Sequence, residues 1–307
     1  MADYDVIIIG GGPAGLTAGI YLTRGKYRTL VIEQESLGGQ LTKMERIENY
    51  PGFQQGVDGP ILASEMLAQA VGFGLEVDLG EVTGIEHYSR ANCIELSDGR
   101  SITARALLIA TGCRRMKLGV PGEQDFQGKG VIGCALCDGQ QLAGKKVAVC
   151  GGGDTGITEA IYMTQLATDV VLLEALPAIS ASPILQERAR ANDKLEIRCG
   201  CRVTSIQGEA GVTAIELEDT ATRTKEVLAV GGILVDIGLE PNTGFLGDVV
   251  QLDTRKRVIV SEKMETSTRN IYAAGDVRSG SPGQVVTGVA DGAVAAISIQ
   301  KALQREL

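Results

Sequence analysis

Runs of consecutive apolar residues that stop at glycine clusters dominate the pattern of this chain. Val6-Ile7-Ile8-Ile9, inside a strand expected over Asp5 to Ile9, leads into Gly10-Gly11-Gly12-Pro13-Ala14-Gly15. An unbroken apolar run of strand length reads as a strand buried on both faces. A helix is predicted from about Ala14 to Thr23, then a second strand over Thr29 to Glu33. The pattern recurs at Val147 to Cys150, followed by Gly151-Gly152-Gly153-Asp154-Thr155-Gly156, a helix to about Ala167 and a strand over Asp169 to Glu174. In both copies the first glycine and the closing glutamate stand 23 positions apart, Gly10 to Glu33 and Gly151 to Glu174. Strand, glycine turn, helix and strand in this order make the βαβ unit of a doubly wound sheet.

A weaker repeat of short alternating stretches follows each unit. One series is Leu75-Glu76-Val77, Val82-Thr83-Gly84-Ile85 and Ile94-Glu95-Leu96; the other is Leu195-Glu196-Ile197, Val203-Thr204-Ser205-Ile206 and Ile215-Glu216-Leu217. Alternation of period two predicts half-buried strands, here a three-stranded meander inserted into each sheet. Each series returns to an apolar strand ending at glycine, Ala106 to Gly112 and Gly232 to Gly238. The remainder from about residue 246 is too short for a third nucleotide fold. It holds a strand (Ile271 to Ala274), Gly275-Asp276-Val277 and a helix (about Gln284 to Leu303). The expected fold class is therefore α/β, with two doubly wound dinucleotide-binding domains, each carrying a β-meander insertion. The second (116–245) is inserted into the first (1–115 and 246–307).

Composition narrows the class. With 44% hydrophobic and 22% charged residues the chain is ordinary globular. Its 41 glycines against 8 prolines suit many tight βα turns rather than a flexible linker. A formal charge of −9 repels phosphate backbones, so no nucleic-acid partner is expected. The first residues lack a basic segment and a small-residue cleavage site, and no apolar run reaches the roughly 18 residues of a membrane span. A cytoplasmic protein without a membrane role is expected. Seven cysteines, an odd number, argue against a structural disulfide framework, and the lone His87 argues against histidine-clustered metal sites and Ser-His hydrolases.

The glycine motifs carry a mechanism. Gly10 permits the tight turn, Gly12 lets the backbone approach a pyrophosphate, and Gly15 lets the helix pack closely on the strand. The helix N-terminus opened by Pro13 and Ala14 offers free N–H groups to phosphate, and Glu33 can accept from ribose hydroxyls. Gly151, Gly153, Asp154, Gly156 and Glu174 repeat the arrangement. A carboxylate at Glu174 suits free ribose hydroxyls and repels a 2′-phosphate, so NADH is favoured over NADPH. The alternative is a duplicated domain that kept the fold and lost the ligand. Cys134-Ala135-Leu136-Cys137-Asp138 brings two sulfurs within disulfide reach, and beside a nucleotide-binding pattern it reads as a redox pair. Asp138 could carry a proton during exchange. A metal site would need further ligands; Cys199-Gly200-Cys201 could supply them only at non-standard spacing. Cys93, Cys113 and Cys150 read as small buried hydrophobes.

Taken in order along nearly the whole chain, these motifs resemble the low-molecular-weight thioredoxin reductases. Further stretches carry the likeness: Gly38 to Leu41, Glu48 to Gly52, Ala110-Thr111-Gly112, Val120 to Glu123, Pro241-Asn242-Thr243, Ala273 to Val277, and Gln284-Val285-Val286 with Asp291-Gly292. The resemblance implies FAD in the first domain, with Gly39, Gln40, Asn49, Thr111 and Gly112 near it and the Glu81-Val82 backbone near adenine. Asp276 would bond the ribitol, and Gln284, Val285 and Val286 would present helix N–H groups to the ring. It also implies Cys137 facing the flavin, Cys134 attacking a thioredoxin-like partner, Asp138 as acid/base, and a homodimer. A hinge is expected near Gly112 to Val120 and Gly238 to Phe245.

The chain departs from the family at one place. NADPH-using members carry a His-Arg-Arg run and a further arginine after the second strand; here the matching positions are Glu174-Ala175-Leu176 and Ser180. Arginine is what would hold a 2′-phosphate, so NADPH is not expected. The donor is then NADH, or a ferredoxin or other electron carrier. Two further functions stay open: a small-molecule dithiol oxidase passing electrons to oxygen, and a non-enzymatic flavin redox sensor.

Overall fold

The computed structural model describes residues 2–44, 46–89 and 91–305. The chain divides into two units, Met1–Arg114 with Pro241–Leu307, and Arg115–Glu240. The second crossing falls at Glu240/Pro241, a little before the 245/246 boundary that the sequence suggests.

In the first unit the parallel strands run in the order Glu76–Leu79, Thr29–Glu33, Tyr4–Ile9, Ser101–Ile109, with Ile271–Ala273 beside the last. Ile7 lies opposite Leu30 on one side and Leu107 on the other. Successive strand residues point to opposite faces, and both faces are covered. Val6, Ile8, Val31 and Leu108 meet the helices Pro13–Arg24, Gly59–Gly72 and Val285–Gln304. Ile7, Ile9, Leu30, Leu107 and Ile109 meet Ile85, Ile94 and Leu96 from the antiparallel strands Val82–His87 and Asn92–Leu96. This is why these strands read as unbroken apolar runs.

The second unit repeats the plan. Its five parallel strands run Val131–Ile132, Gly232–Val235, Lys146–Cys150, Asp169–Glu174, Leu195–Cys199. Val147, Val149, Leu172 and Leu234 face helices, while Ala148, Cys150, Val171 and Ile233 face Val203, Ile206, Ile215 and Leu217. The latter come from a separate antiparallel sheet of Cys201–Gly208, Val212–Asp219 and Lys225–Ala229.

The meanders differ from expectation in membership. Glu76–Leu79 and Leu195–Cys199 join the parallel sheets, beside Thr29–Glu33 and Asp169–Glu174. Each follows a helix, Gly59–Gly72 or Pro183–Arg190, and a strand returning from a crossover helix adds in parallel. Lys225–Ala229, which the alternation missed, closes the second meander.

The helix Val285–Gln304 holds no unbroken apolar run of membrane-spanning length, yet its 20 residues include an 18-residue stretch of mean hydropathy 1.2, enough by length and composition alone to cross a membrane. It is a core helix here. Ala295, Ala296, Ile299 and Leu303 are buried in the helical face of the first unit, and buried Asp291 pairs with Arg278 at 2.6 Å.

Candidate active site

The two glycine loops have matching geometry. Gly10 and Gly151 are left-handed, with φ of 107° and 119°. A side chain on Gly10 would overlap the Ala110 carbonyl, and one on Gly151 the Asp236 carbonyl. Gly15 and Gly156 sit against the Gly10 and Gly151 carbonyls, so a Cβ there would force helix and strand apart. The middle glycines differ. A Cβ on Gly12 would meet nothing within 4 Å, and one on Gly153 would reach only Ser180 Oγ at 4.0 Å. These two residues are the N-caps of the helices Pro13–Arg24 and Asp154–Met163, and neither cap has a side-chain hydrogen bond. Free N–H groups therefore face open space at each helix start, which suits phosphate. That cradle fits the pyrophosphate of a dinucleotide.

The distal acids are held alike. Glu33 accepts from Gly11 N–H at 2.7 Å and Glu35 N–H at 2.9 Å. Glu174 accepts from Gly152 N–H at 2.7 Å and Leu176 N–H at 2.8 Å. Both carboxylates stay half-buried at the strand end beside the loop.

Of the residues the sequence assigns to FAD, Gly39 and Thr111 lie against the first loop. Gly39 is left-handed, and a Cβ there would lie 3.1 Å from Gly12 Cα. Gln40 donates to the Cys113 carbonyl at 3.2 Å, and Asn49 donates to Gln284 Oε1 at 2.9 Å. Thr111 donates to the Asn242 carbonyl and Asn242 donates back to the Thr111 carbonyl, at 2.8 and 2.9 Å. This fixes the turn at Gly112. Asp276 accepts from Ser281 Oγ at 3.1 Å, and burial pushes its carboxyl above the ordinary range against the pull of that hydroxyl and Arg257. Gln284 caps the helix that begins with Val285 and Val286. Val82 starts its strand opposite Leu96.

Two participants here escaped the sequence reading. Cys113, read as a bland core residue, donates its thiol to the Asp276 carbonyl at 3.3 Å, and burial pushes it up to about 11. Arg257 donates to the same carbonyl at 2.9 Å. Nothing local marks either residue. His87 lies exposed, within 2.7 Å of Asn92 Oδ1.

In the second unit Cys134 and Cys137 form a disulfide, with Cα atoms 5.4 Å apart. Cys134 precedes the single-turn helix Ala135–Asp138, and its sulfur accepts the Cys137 N–H at 3.1 Å. Cys134 is buried, Cys137 exposed, and Asp138 half-buried within 3.3 Å of Gln141 Nε2. Next to this turn lies a cluster the sequence did not reveal. Arg115 grips both oxygens of Glu159 at 2.9 and 3.1 Å and approaches Asp236 Oδ2 at 3.4 Å. Glu159 also accepts a backbone hydrogen bond from Ala135, inside the redox turn. Burial raises both carboxyls, and Arg115 opposes it. Among the described residues no metal-binding cluster forms, so Cys199 and Cys201 do not complete a site with the redox pair.

Two dinucleotide-type loops plus a Cys-x-x-Cys disulfide define a pyridine nucleotide-disulphide oxidoreductase, and that family's model matches residues 4–292. Within it, the chain is 37% identical to the thioredoxin reductase of Treponema pallidum over 96% of this chain and 95% of that one. It is also 37% identical to the bifunctional thioredoxin reductase/thioredoxin of Mycobacterium leprae, covering 97% of this chain but only 65% of that longer protein. The thioredoxin reductase of Lactococcus lactis superposes with a TM-score of 0.96 at 34% identity, over 99% of this chain and 100% of that one. The chain belongs to the low-molecular-weight thioredoxin reductase family. It is a flavoprotein oxidoreductase of that type.

Proposed function

We propose that this protein reduces the disulfide of a thioredoxin-like protein through Cys134 and Cys137, drawing electrons from NADH or a ferredoxin-type carrier rather than NADPH. The observation that carries the reading is the Cys134–Cys137 disulfide in a unit that also holds a dinucleotide loop.

Gly10, Gly12, Pro13, Ala14, Gly15 and Glu33 would hold the adenosine diphosphate half of FAD. Gly39, Gln40, Asn49, Val82, Thr111, Gly112, Asp276 and Gln284 to Val286 would shape the rest of its site. When bound, FAD supplies the two-electron carrier, and the protein supplies position and electrostatics. The start of the Val285–Gln304 helix adds a positive dipole end where reduced flavin would carry charge.

The cysteines then work by exchange. In the reduced pair, the Cys134 thiolate attacks one partner sulfur, forms a mixed disulfide and expels the other sulfur as thiolate. Asp138 delivers a proton to that leaving group. The Cys137 thiolate next attacks Cys134 Sγ, which restores the disulfide and frees the partner's dithiol. Cys134 is buried in the oxidised form while Cys137 is exposed, so its attack requires the turn to open once the sulfurs separate.

The donor argument rests on charge. A 2′-phosphate at the Glu174 strand end would meet a carboxylate, with Ala175, Leu176 and Ser180 offering no guanidinium. The test is anaerobic bleaching of the FAD-loaded protein with NADH, NADPH and reduced ferredoxin in parallel, with oxidised thioredoxin as acceptor. Bleaching by NADH or ferredoxin with thioredoxin reduction is expected. NADPH as the best donor would refute the donor assignment. Aerobic peroxide formation from a small dithiol, with no thioredoxin reduction, would establish the oxidase in its place. A homodimer is expected by sedimentation.

A further inference from the structure

Cys199 and Cys201 take no part in the chemistry above, yet their setting is specific. Cys199 closes the strand Leu195–Cys199 and is exposed; Cys201 opens Cys201–Gly208 and is half-buried. Gly200 between them is left-handed at φ 72°, although a Cβ there would reach only Thr220 Oγ1 at 3.7 Å. The glycine is thus required by the bend and not by crowding. The bend is pinned on both sides. Gly200 N–H donates to the Leu176 carbonyl at 2.9 Å, and Thr220 N–H donates to the Gly200 carbonyl at 2.7 Å.

Two residues of extended strand span about 6.7 Å, at the outer limit for a disulfide. Gly200 takes the backbone out of the extended strand conformation between them. The same turn touches the segment after Asp169–Glu174. Cys199 is the register neighbour of Glu174, and the Glu174 backbone hydrogen-bonds the Cys201 sulfur. Cys201 Sγ also lies 3.5 Å from the Arg198 carbonyl.

We propose that Cys199 and Cys201 are a second redox-active thiol pair, closed to an intrachain disulfide by low-molecular-weight disulfides, and that closure loosens the Glu174–Ser180 segment. The exposed Cys199 thiolate attacks one sulfur of the oxidant and releases the first thiol. The Cys201 thiolate then attacks Cys199 Sγ and releases the second. The oxidant gains two electrons, the pair loses two, and the two cysteine protons pass to the departing thiolates. To reach Cys199, the Cys201 sulfur must leave the Glu174 backbone, which removes one of the bonds holding that segment.

The experiment treats the reduced, FAD-loaded chain with hydroxyethyl disulfide, blocks remaining thiols with N-ethylmaleimide, and maps peptides by mass. The expected result is a Cys199–Cys201 peptide lighter by two hydrogens, with no reagent adduct. Cys201→Ser should trap the adduct on Cys199, lasting about tenfold longer than in the parent chain. Hydrogen exchange over 174–180 should quicken about threefold in the oxidised form, measured on the same sample. A stable adduct on Cys199 in the parent chain would overturn the pairing, as would a Cys150–Cys201 disulfide. Unchanged exchange over 174–180 in a chain with the disulfide formed would overturn the loosening.

Discussion

Replacing Arg115 by methionine keeps an aliphatic stem and removes the single positive charge between Glu159 and Asp236. All three side chains are mostly buried, at 21%, 11% and 7% exposure. Breaking a buried pair by deleting one partner costs ~3–5 kcal/mol. The carboxylates have an alternative, which is to bind a proton. At pH 7 that costs about 1.4 kcal/mol for each pH unit above an ordinary glutamate value near 4.3, or ~3.7 kcal/mol. The two routes are comparable, so the variant should be ~3–4 kcal/mol less stable at pH 7 and should take up a proton as it folds. Burial already raises both carboxyls in the parent, and losing Arg115 raises them further. A carboxyl raised in the folded state binds more protons folded than unfolded between its ordinary and raised values. Stability therefore increases as pH falls through that window, and the deficit should shrink to ~1.6 kcal/mol at pH 5.5. Hydrogen exchange of Lys146–Cys150 and Gly232–Val235, corrected for intrinsic rates, reads the second unit without assuming two-state unfolding. An equal deficit at both pH values, or one below about 1 kcal/mol at pH 7, would refute the idea that Arg115 makes the two acids tolerable.

Gly12→Ala should keep the thermal stability of the FAD-free chain and lose FAD affinity at least about tenfold, because its Cβ meets only open space where phosphate would sit. Gly10→Ala should instead lower stability by ~2 kcal/mol or more, from left-handed strain and overlap with the Ala110 carbonyl; calorimetry and FAD titration of both variants separate the roles. Glu174→Gln should weaken NADH about tenfold, its single amide oxygen accepting from only one of the Gly152 and Leu176 N–H groups, and unchanged donor kinetics would point to an external carrier. With FAD bound, Cys134→Ser should show a long-wavelength band from a Cys137 thiolate. Its absence up to pH about 9, past an ordinary thiol value, would remove Cys137 from the flavin-facing role. Dithionite should deliver two electrons to the flavin and two to the disulfide, and saturation after the first two would exclude a working Cys134–Cys137 pair.

Local order in the sequence settled a good deal. Val6 to Ile9 and Val147 to Cys150 had to be strands buried on both faces, glycines at 10 and 151 had to mark tight turns, and glycines at 15 and 156 had to let each helix pack closely on its strand. Each requirement lies within a few residues of its own backbone. The Cys134–Cys137 disulfide was legible for the same reason, since a single helical turn brings its sulfurs together. Only the tertiary structure decided partners. Alternation at Glu76–Leu79 and Leu195–Cys199 showed strands but not that they join the parallel sheets, because a crossover helix and not side-chain period selects the neighbour. Arg115, Glu159 and Asp236 in one unit, and Gln40, Cys113, Arg257 and Asp276 in the other, meet only because each unit's fold brings together segments far apart in the chain. Hydrophobic period records that a face is covered; what covers it, and which charges then lie together out of water, is set by long-range pairing that no single segment encodes.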